Sequence, residues 1–198
     1  MEVVVPVVGF LCLVTLIVAS PHVGPRRVRR RASTVAAGLC QVYGFVAAPD
    51  VDHVLRGTTA PPFHYGRDHR FEDVVTGGVG GLPVTSATYV CCYNGSPHLY
   101  GVVAVTLPEP GAPKRFEIRS EPVFENAWAI DPSPQDGADG LLGAGGANAL
   151  LSVPERPSLR VEDRLLLMWR RDGWSSPARL VQAVTAAAEM ADRTRFVR

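Results

Sequence analysis

Apolar positions follow three different patterns along this chain. From Val3 to Ala19 they are almost continuous. Between about Arg70 and Trp169 they mostly alternate with polar ones, the period of a strand with one buried face. Near the C-terminus Leu180, Val184, Ala187 and Ala191 recur at helical spacing.

The middle pattern predicts a meander. Arg70–Thr76 reads as a strand and Gly77-Gly78-Val79-Gly80-Gly81 as a turn. Pro83–Tyr93 is a long strand with Val84, Ser86, Thr88, Val90 and Cys92 on one face, and Thr85, Ala87, Tyr89, Cys91 and Tyr93 on the other. Asn94-Gly95 is the strongest hairpin signal in the chain. Pro97 predicts a loop longer than two residues before the return strand His98–Leu107. Arg115–Arg119 alternates as a half-buried strand around Phe116 and Ile118, and Phe124–Ile130 is another. Leu159–Val161 and Leu165–Trp169 follow; the second is apolar on both faces, as an inner strand is.

Helices flank this region. Ser33 or Thr34 caps a short helix to about Tyr43 with Val35, Leu39 and Val42 on one stripe, ended by Gly44. Phe45-Val46-Ala47 reads as a short strand. Residues 48–69 read as loop with a helical turn at Asp50–Leu55. Pro132–Gly146 reads as loop, and Asn148–Ser152 as a stub of helix. Ser176 caps a final helix, with Pro177 at its first position, that runs to about Ala191.

The N-terminal run has the length of a membrane span. From Val3 to Pro25, 23 residues carry no Asp, Glu, Lys or Arg, and a helix of ~20 residues crosses the ~30 Å hydrocarbon layer. Pro6 falls in the first turn, where its missing N–H costs little. A secretory signal would need early basic residues, and the only early charge is Glu2. An uncleaved anchor is therefore expected, with a cleaved signal and a secreted domain as the alternative.

Charge then orients the span. The whole chain carries +1, but residues 1–32 hold five Arg and one Glu, net +4, while residues 33–198 hold 15 basic and 18 acidic residues, net −3. Arg26, Arg27, Arg29, Arg30 and Arg31 abut the apolar run, and positive charge beside a span stays cytoplasmic. The expected organisation is an anchor over 1–25, a basic juxtamembrane segment over 26–32 and a cytoplasmic α+β domain over 33–198. The N-terminus lies outside. Residues 3–23 meet the lipid bilayer, and the Arg run reads as topology and headgroup contact. No nucleic-acid partner is expected; a protein partner is, of unknown identity.

Candidate chemistry is sparse. Cys12, Cys40, Cys91 and Cys92 lack metal-ligand spacing, and the adjacent pair points to opposite faces of its strand. Thiols of this kind suit a reducing compartment. The densest polar cluster is His64-Tyr65-Gly66-Arg67-Asp68-His69-Arg70-Phe71-Glu72-Asp73. His69 with Asp68 or Asp73 could form a general-base pair, which would make a hydrolase-like enzyme. The same residues also read as a polar loop entering a strand, and no nucleophile motif accompanies them. His64 and His69 are five apart, not the helical four. Gly77–Gly81 precedes a strand instead of a helix and lacks a Walker Lys, so it is not read as a phosphate loop. Trp128, Trp169 and Trp174 read as core or sheet-edge aromatics. No catalytic, cofactor or metal residue is assigned.

The span with its Arg cluster is followed by a helix ending near Tyr43–Phe45, and Pro62-Phe63-His64-Tyr65-Gly66-Arg67 leads into Val74-Val75-Thr76-Gly77. Gly81-Leu82-Pro83-Val84 comes next, then His98 ahead of Val102-Val103-Ala104-Val105, and Leu165-Leu166-Leu167-Met168-Trp169 before the last helix. In this layout the chain resembles a family of uncharacterised actinobacterial single-pass membrane proteins of unknown function. The Gly-rich 137–146 departs from it, where a better helix is expected. The resemblance implies a membrane location and brings no activity with it. Together these readings predict an N-terminal transmembrane helix followed by a mostly antiparallel sheet of about six or seven strands, packed by a C-terminal helix. The expected role is a membrane-tethered, non-catalytic interaction or sensing module.

Overall fold

In the computed structural model, alternating apolar residues between Arg67 and Arg171 pair into one antiparallel sheet. Residues 32–48, 58, 62–63, 66–107, 115–120, 128–131, 146–162 and 164–193 are described. The chain divides into two units, Met1–Arg31 and Ala32–Arg198, and all described residues belong to the second. The expected span, the five orienting arginines, His64 and the loop over 132–145 lie outside the described residues. Among the described residues no helix is long and apolar enough to cross a membrane.

The elements in chain order are α1 (32–43), β1 (Val46–Ala47), β2 (Arg67–Val79), β3 (Leu82–Tyr93), β4 (Ser96–Thr106), β5 (Arg115–Ser120), β6 (Trp128–Asp131), α2 (Gly146–Leu151), β7 (Ser158–Glu162), β8 (Leu165–Arg171) and α3 (Pro177–Arg193). The sheet order is β1-β2-β3-β4-β8-β7-β5-β6. It holds eight strands against the six or seven expected, and all seven neighbouring pairs run antiparallel. β8 is an inner strand between β4 and β7, as its two apolar faces predict. Leu166 and Met168 serve one side, Leu167 and Trp169 the other.

One sheet face carries the helices. Val84, Val103, Val105, Leu159, Val161, Leu166 and Met168 meet Val35 and Leu39 of α1, Leu150 of α2 and Leu180, Val184 and Met190 of α3. Burying each such side chain contributes about 1.5–3 kcal/mol. Ala183, Ala186, Ala187 and Ala191 are also buried, and their small size lets α3 lie close to the strands. α3 is capped as expected, with the Arg179 N–H donating to Ser176 Oγ at 3.3 Å. Two details of α1 differ from the pattern. Ser33 and Thr34 fall inside the helix, and Val42 is 59% exposed. Tyr43, four residues after Leu39, takes the stripe instead, and its hydroxyl meets Thr185 Oγ1 at 2.7 Å. Gly44 closes α1 at φ 68°, its N–H donating to the Cys40 carbonyl.

Two turns correct the sequence reading. Gly77 and Gly78 continue β2, opposite Val84 and Pro83, and the turn is Gly80-Gly81 alone. Glycine is required at this strand position because the Phe45 ring covers it: a Cβ on Gly77 would lie 2.3 Å from a ring carbon. The β3–β4 loop is the two-residue Asn94-Gly95 turn, with Tyr93 opposite Ser96 and Cys92 opposite Pro97. Pro97 fits because in a two-residue hairpin that second pair is not hydrogen-bonded. Its missing N–H faces the β8 side, where β8 reaches only as far as the Tyr100–Arg171 pair.

The other sheet face gathers Phe63, Ala87, Tyr89, Cys91, Val102, Ala104, Leu167 and Trp169, with Phe71 and Tyr100 partly buried beside them. Arg160 is fully buried, its guanidinium 5.2 Å from the Trp169 ring centroid.

Candidate functional site

The polar cluster of the sequence is built into the start of β2 by two irregularities. Pairing with β3 shifts register between Arg67 and Arg70 and again between Glu72 and Val75. Asp68 and Asp73 sit in these intervals with φ of 57° and 52°. Asp tolerates the left-handed conformation better than most residues, so both are residues a bulge favours. Gly66, at φ 90°, lies so close to Cys92 that a Cβ would meet its carbonyl oxygen.

His69 stays exposed, but both of its ring nitrogens contact the fold. Its Nδ1 contacts the Tyr89 hydroxyl, and its Nε2 lies 3.1 Å from the Gly66 carbonyl. The Tyr89 hydroxyl in turn donates to the Phe63 carbonyl at 2.8 Å. The His69 and Tyr89 rings stack with centroids 6.0 Å apart. Burial first, then the neighbouring Cys91 and Tyr100, pushes the Tyr89 phenol far above its ordinary range, so it stays a hydrogen-bond donor. Neither described partner of His69 is a carboxylate. Arg70 and Glu72 form an exposed pair at 2.6 Å. The cluster therefore ties a loop residue, a bulge and the aromatic face together.

The remaining candidates fall in the same way. Gly80-Gly81 joins β2 directly to β3, strand to strand. Trp169 and Trp174 are buried core residues. Cys91 is buried and its thiol is raised, chiefly by burial, which suppresses its reactivity. Cys91 and Cys92 lie on opposite faces, as alternation requires. Among the described residues no group of three His, Cys, Asp or Glu is arranged to hold a metal.

A concave site absent from the sequence reading lies at the end of the same sheet face. The β3–β4 hairpin runs past the point where β8 stops, leaving a notch beside residues 96–99 of β4. The open groove has a volume of about 790 Å³ and is lined by Tyr93, Asn94, Ser96, Pro97, His98, Tyr100, Arg171 and Asp172. Tyr93 and His98 meet edge to face at 6.1 Å, and an Arg171 guanidinium nitrogen lies 3.5 Å from His98 Nδ1. Tyr100 packs on Tyr89 at 6.1 Å, so the groove continues the aromatic face toward solvent. Arg171 and His98 are 73 positions apart in the chain. The lone signal in the sequence was the hairpin at Asn94-Gly95, flanked by Tyr93 and His98.

The groove's far wall is held by a polar staple. The Glu155 carboxylate accepts the Ser175 N–H at 3.2 and 3.3 Å and lies 3.5 Å from Arg170 Nε, which itself bonds the Gly173 carbonyl through Nη1. The Asp172 N–H donates to the Leu99 carbonyl at 2.8 Å. The Glu155 side chain is only 10% exposed. Glu155→Ala would leave a half-buried guanidinium and an amide short of an acceptor, and should cost about 1–3 kcal/mol in chemical denaturation. A loss below about 0.5 kcal/mol would contradict the staple.

No family model and no curated protein matches the sequence. Among solved structures, the chain is similar to the crystal structure of the mycobacterial trehalose monomycolate transport factor A, TtfA. The identity is 15% and the TM-score 0.50, over 87% of this chain and 97% of that one. At that identity the likeness establishes a shared fold.

Proposed function

We propose that this protein is a membrane-tethered, non-catalytic accessory domain in the transport of a glycolipid. The observation that carries the non-catalytic part is the His69–Tyr89–Phe63 chain: the best acid–base candidate spends its contacts on the fold. The transport context is taken from the likeness to a trehalose monomycolate transport factor. The tether is taken from the uncharged run Val3–Pro25 and the arginines that follow it. In this reading Arg26, Arg27, Arg29, Arg30 and Arg31 hold residues 26–198 on the cytoplasmic side, where the domain meets a protein partner in the same membrane. The resemblance to single-pass actinobacterial membrane proteins supports the same placement.

The test is fractionation of the full chain with a C-terminal reporter. The chain should remain with membranes through high salt and alkaline wash, keep its first residues by mass spectrometry, and report from the cytoplasm. Removing residues 1–25 should release it. A processed N-terminus, or a reporter active only outside, would replace this reading with the secreted one. Cross-linking in intact membranes should return a reproducible transport protein; recovering none would remove the accessory role.

A further inference from the structure

We propose that the groove at the end of the β3–β4 hairpin binds the neutral sugar headgroup of a glycolipid. The inference deepens the transport reading and rests on it for the ligand's source, but the chemistry is argued from the groove. A sugar ring has one apolar C–H face and a rim of hydroxyls, so its site needs an accessible aromatic wall beside planar donors and acceptors. The groove has both. Tyr93 is 47% exposed and stands edge to face with His98, which forms the wall. Asn94, Asp172 and Arg171 surround it with carbonyl, carboxylate, amide and guanidinium groups.

Charge narrows the class of ligand. Arg171 and Asp172 are adjacent and opposite in sign, so the lining favours a polyol over a phosphate, which would meet the Asp172 carboxylate. The frame is already set before a ligand arrives. Asn94 and Asp172 are held in left-handed turns at φ 50° and 65°, and the Asp172 N–H is bonded to Leu99. Tyr100, its phenol raised chiefly by burial, stays a donor at the groove floor. The volume of about 790 Å³ falls within the ~300–1,000 Å³ of small-molecule sites, with room for more than one ring.

The experiment is amide-shift titration of the full chain in a detergent that contains no sugar. The probes are the neutral disaccharides trehalose and sucrose, with myo-inositol hexakisphosphate as the anionic arm. A disaccharide should give saturable shifts at Asn94, Gly95 and Leu99 in the tens-of-millimolar range or below. Tyr93→Ala should weaken it about three- to ten-fold, the loss of one aromatic contact, while the unfolding midpoint stays put. The proposal is overturned by unsaturable shifts with both sugars, by shifts that ignore Tyr93→Ala, or by tighter binding of the phosphate at these amides. The two readings fail separately. A chain that stays with membranes and binds neither sugar refutes the groove alone. A chain that binds sugar but leaves the membrane in an alkaline wash refutes the tether alone.

Discussion

Tyr89→Ala is expected to destabilise the domain by about 3–5 kcal/mol, and Tyr89→Phe by about 1–3 kcal/mol. The two variants separate two contributions. The ring is 1% exposed and packs against Phe63 and Phe71 with centroids 5.1 Å away in each case. Its removal leaves a cavity in the middle of the aromatic face, and the sheet backbone beneath cannot collapse to fill it. The hydroxyl carries the second contribution. It donates to the Phe63 carbonyl and meets His69 Nδ1, so Phe leaves two polar groups without their partner. Denaturant midpoints at constant slope measure both. A Tyr89→Phe variant within about 0.5 kcal/mol of the parent would mean that water replaces the hydroxyl and the network is incidental.

That network shows why the polar cluster was legible as a feature but not as a device. The spacing of His69, Asp68 and Asp73 is compatible with a catalytic pair. What gives His69 its described partners is the register of β2 against β3, which places Arg70 opposite Val90 and Phe71 opposite Tyr89. Register is set by the whole alternating pattern and by the bulges, and bulges leave only a weak mark in sequence. Strands, hairpins and the capped final helix were readable because each depends on neighbours within about ten residues. The seam between β4 and β8 was not, since Val103 meets Met168, 65 positions further along the chain. The groove inherits that difficulty, because its two walls come from either side of the seam.

Glycine was the least legible signal. Gly77 and Gly78 look like part of a turn with Gly80 and Gly81, yet only the last two have positive φ among these four. Glycine marks either a backbone conformation or a close approach, and composition alone does not separate them. Pro97 is the converse: it reads as a break, and the sheet accepts it because β8 ends early.

Gly101→Ala tests the close-approach role directly. Gly101 lies in mid-β4 between Thr88 and Arg170, where glycine forfeits strand propensity for no local reason. The reason is Trp174. A Cβ at Gly101 would lie 2.5 Å from Trp174 Cδ1, 2.6 Å from Nε1 and 3.2 Å from the Gly173 Cα. The indole cannot simply swing away: it is 5% exposed and packed into the helical core. The adjoining turn is tied down through Glu155, Arg170 and Ser175. We expect Gly101→Ala to cost about 1–3 kcal/mol, and Gly101→Val more, although both raise β propensity. A propensity account predicts the opposite sign, so denaturation of one variant decides between them. Trp174→Leu loses packing by itself, but in that background Gly101→Ala should cost markedly less. The resulting coupling of at least about 0.5 kcal/mol would mark a clash between these two side chains; strict additivity would show that the glycine serves something else.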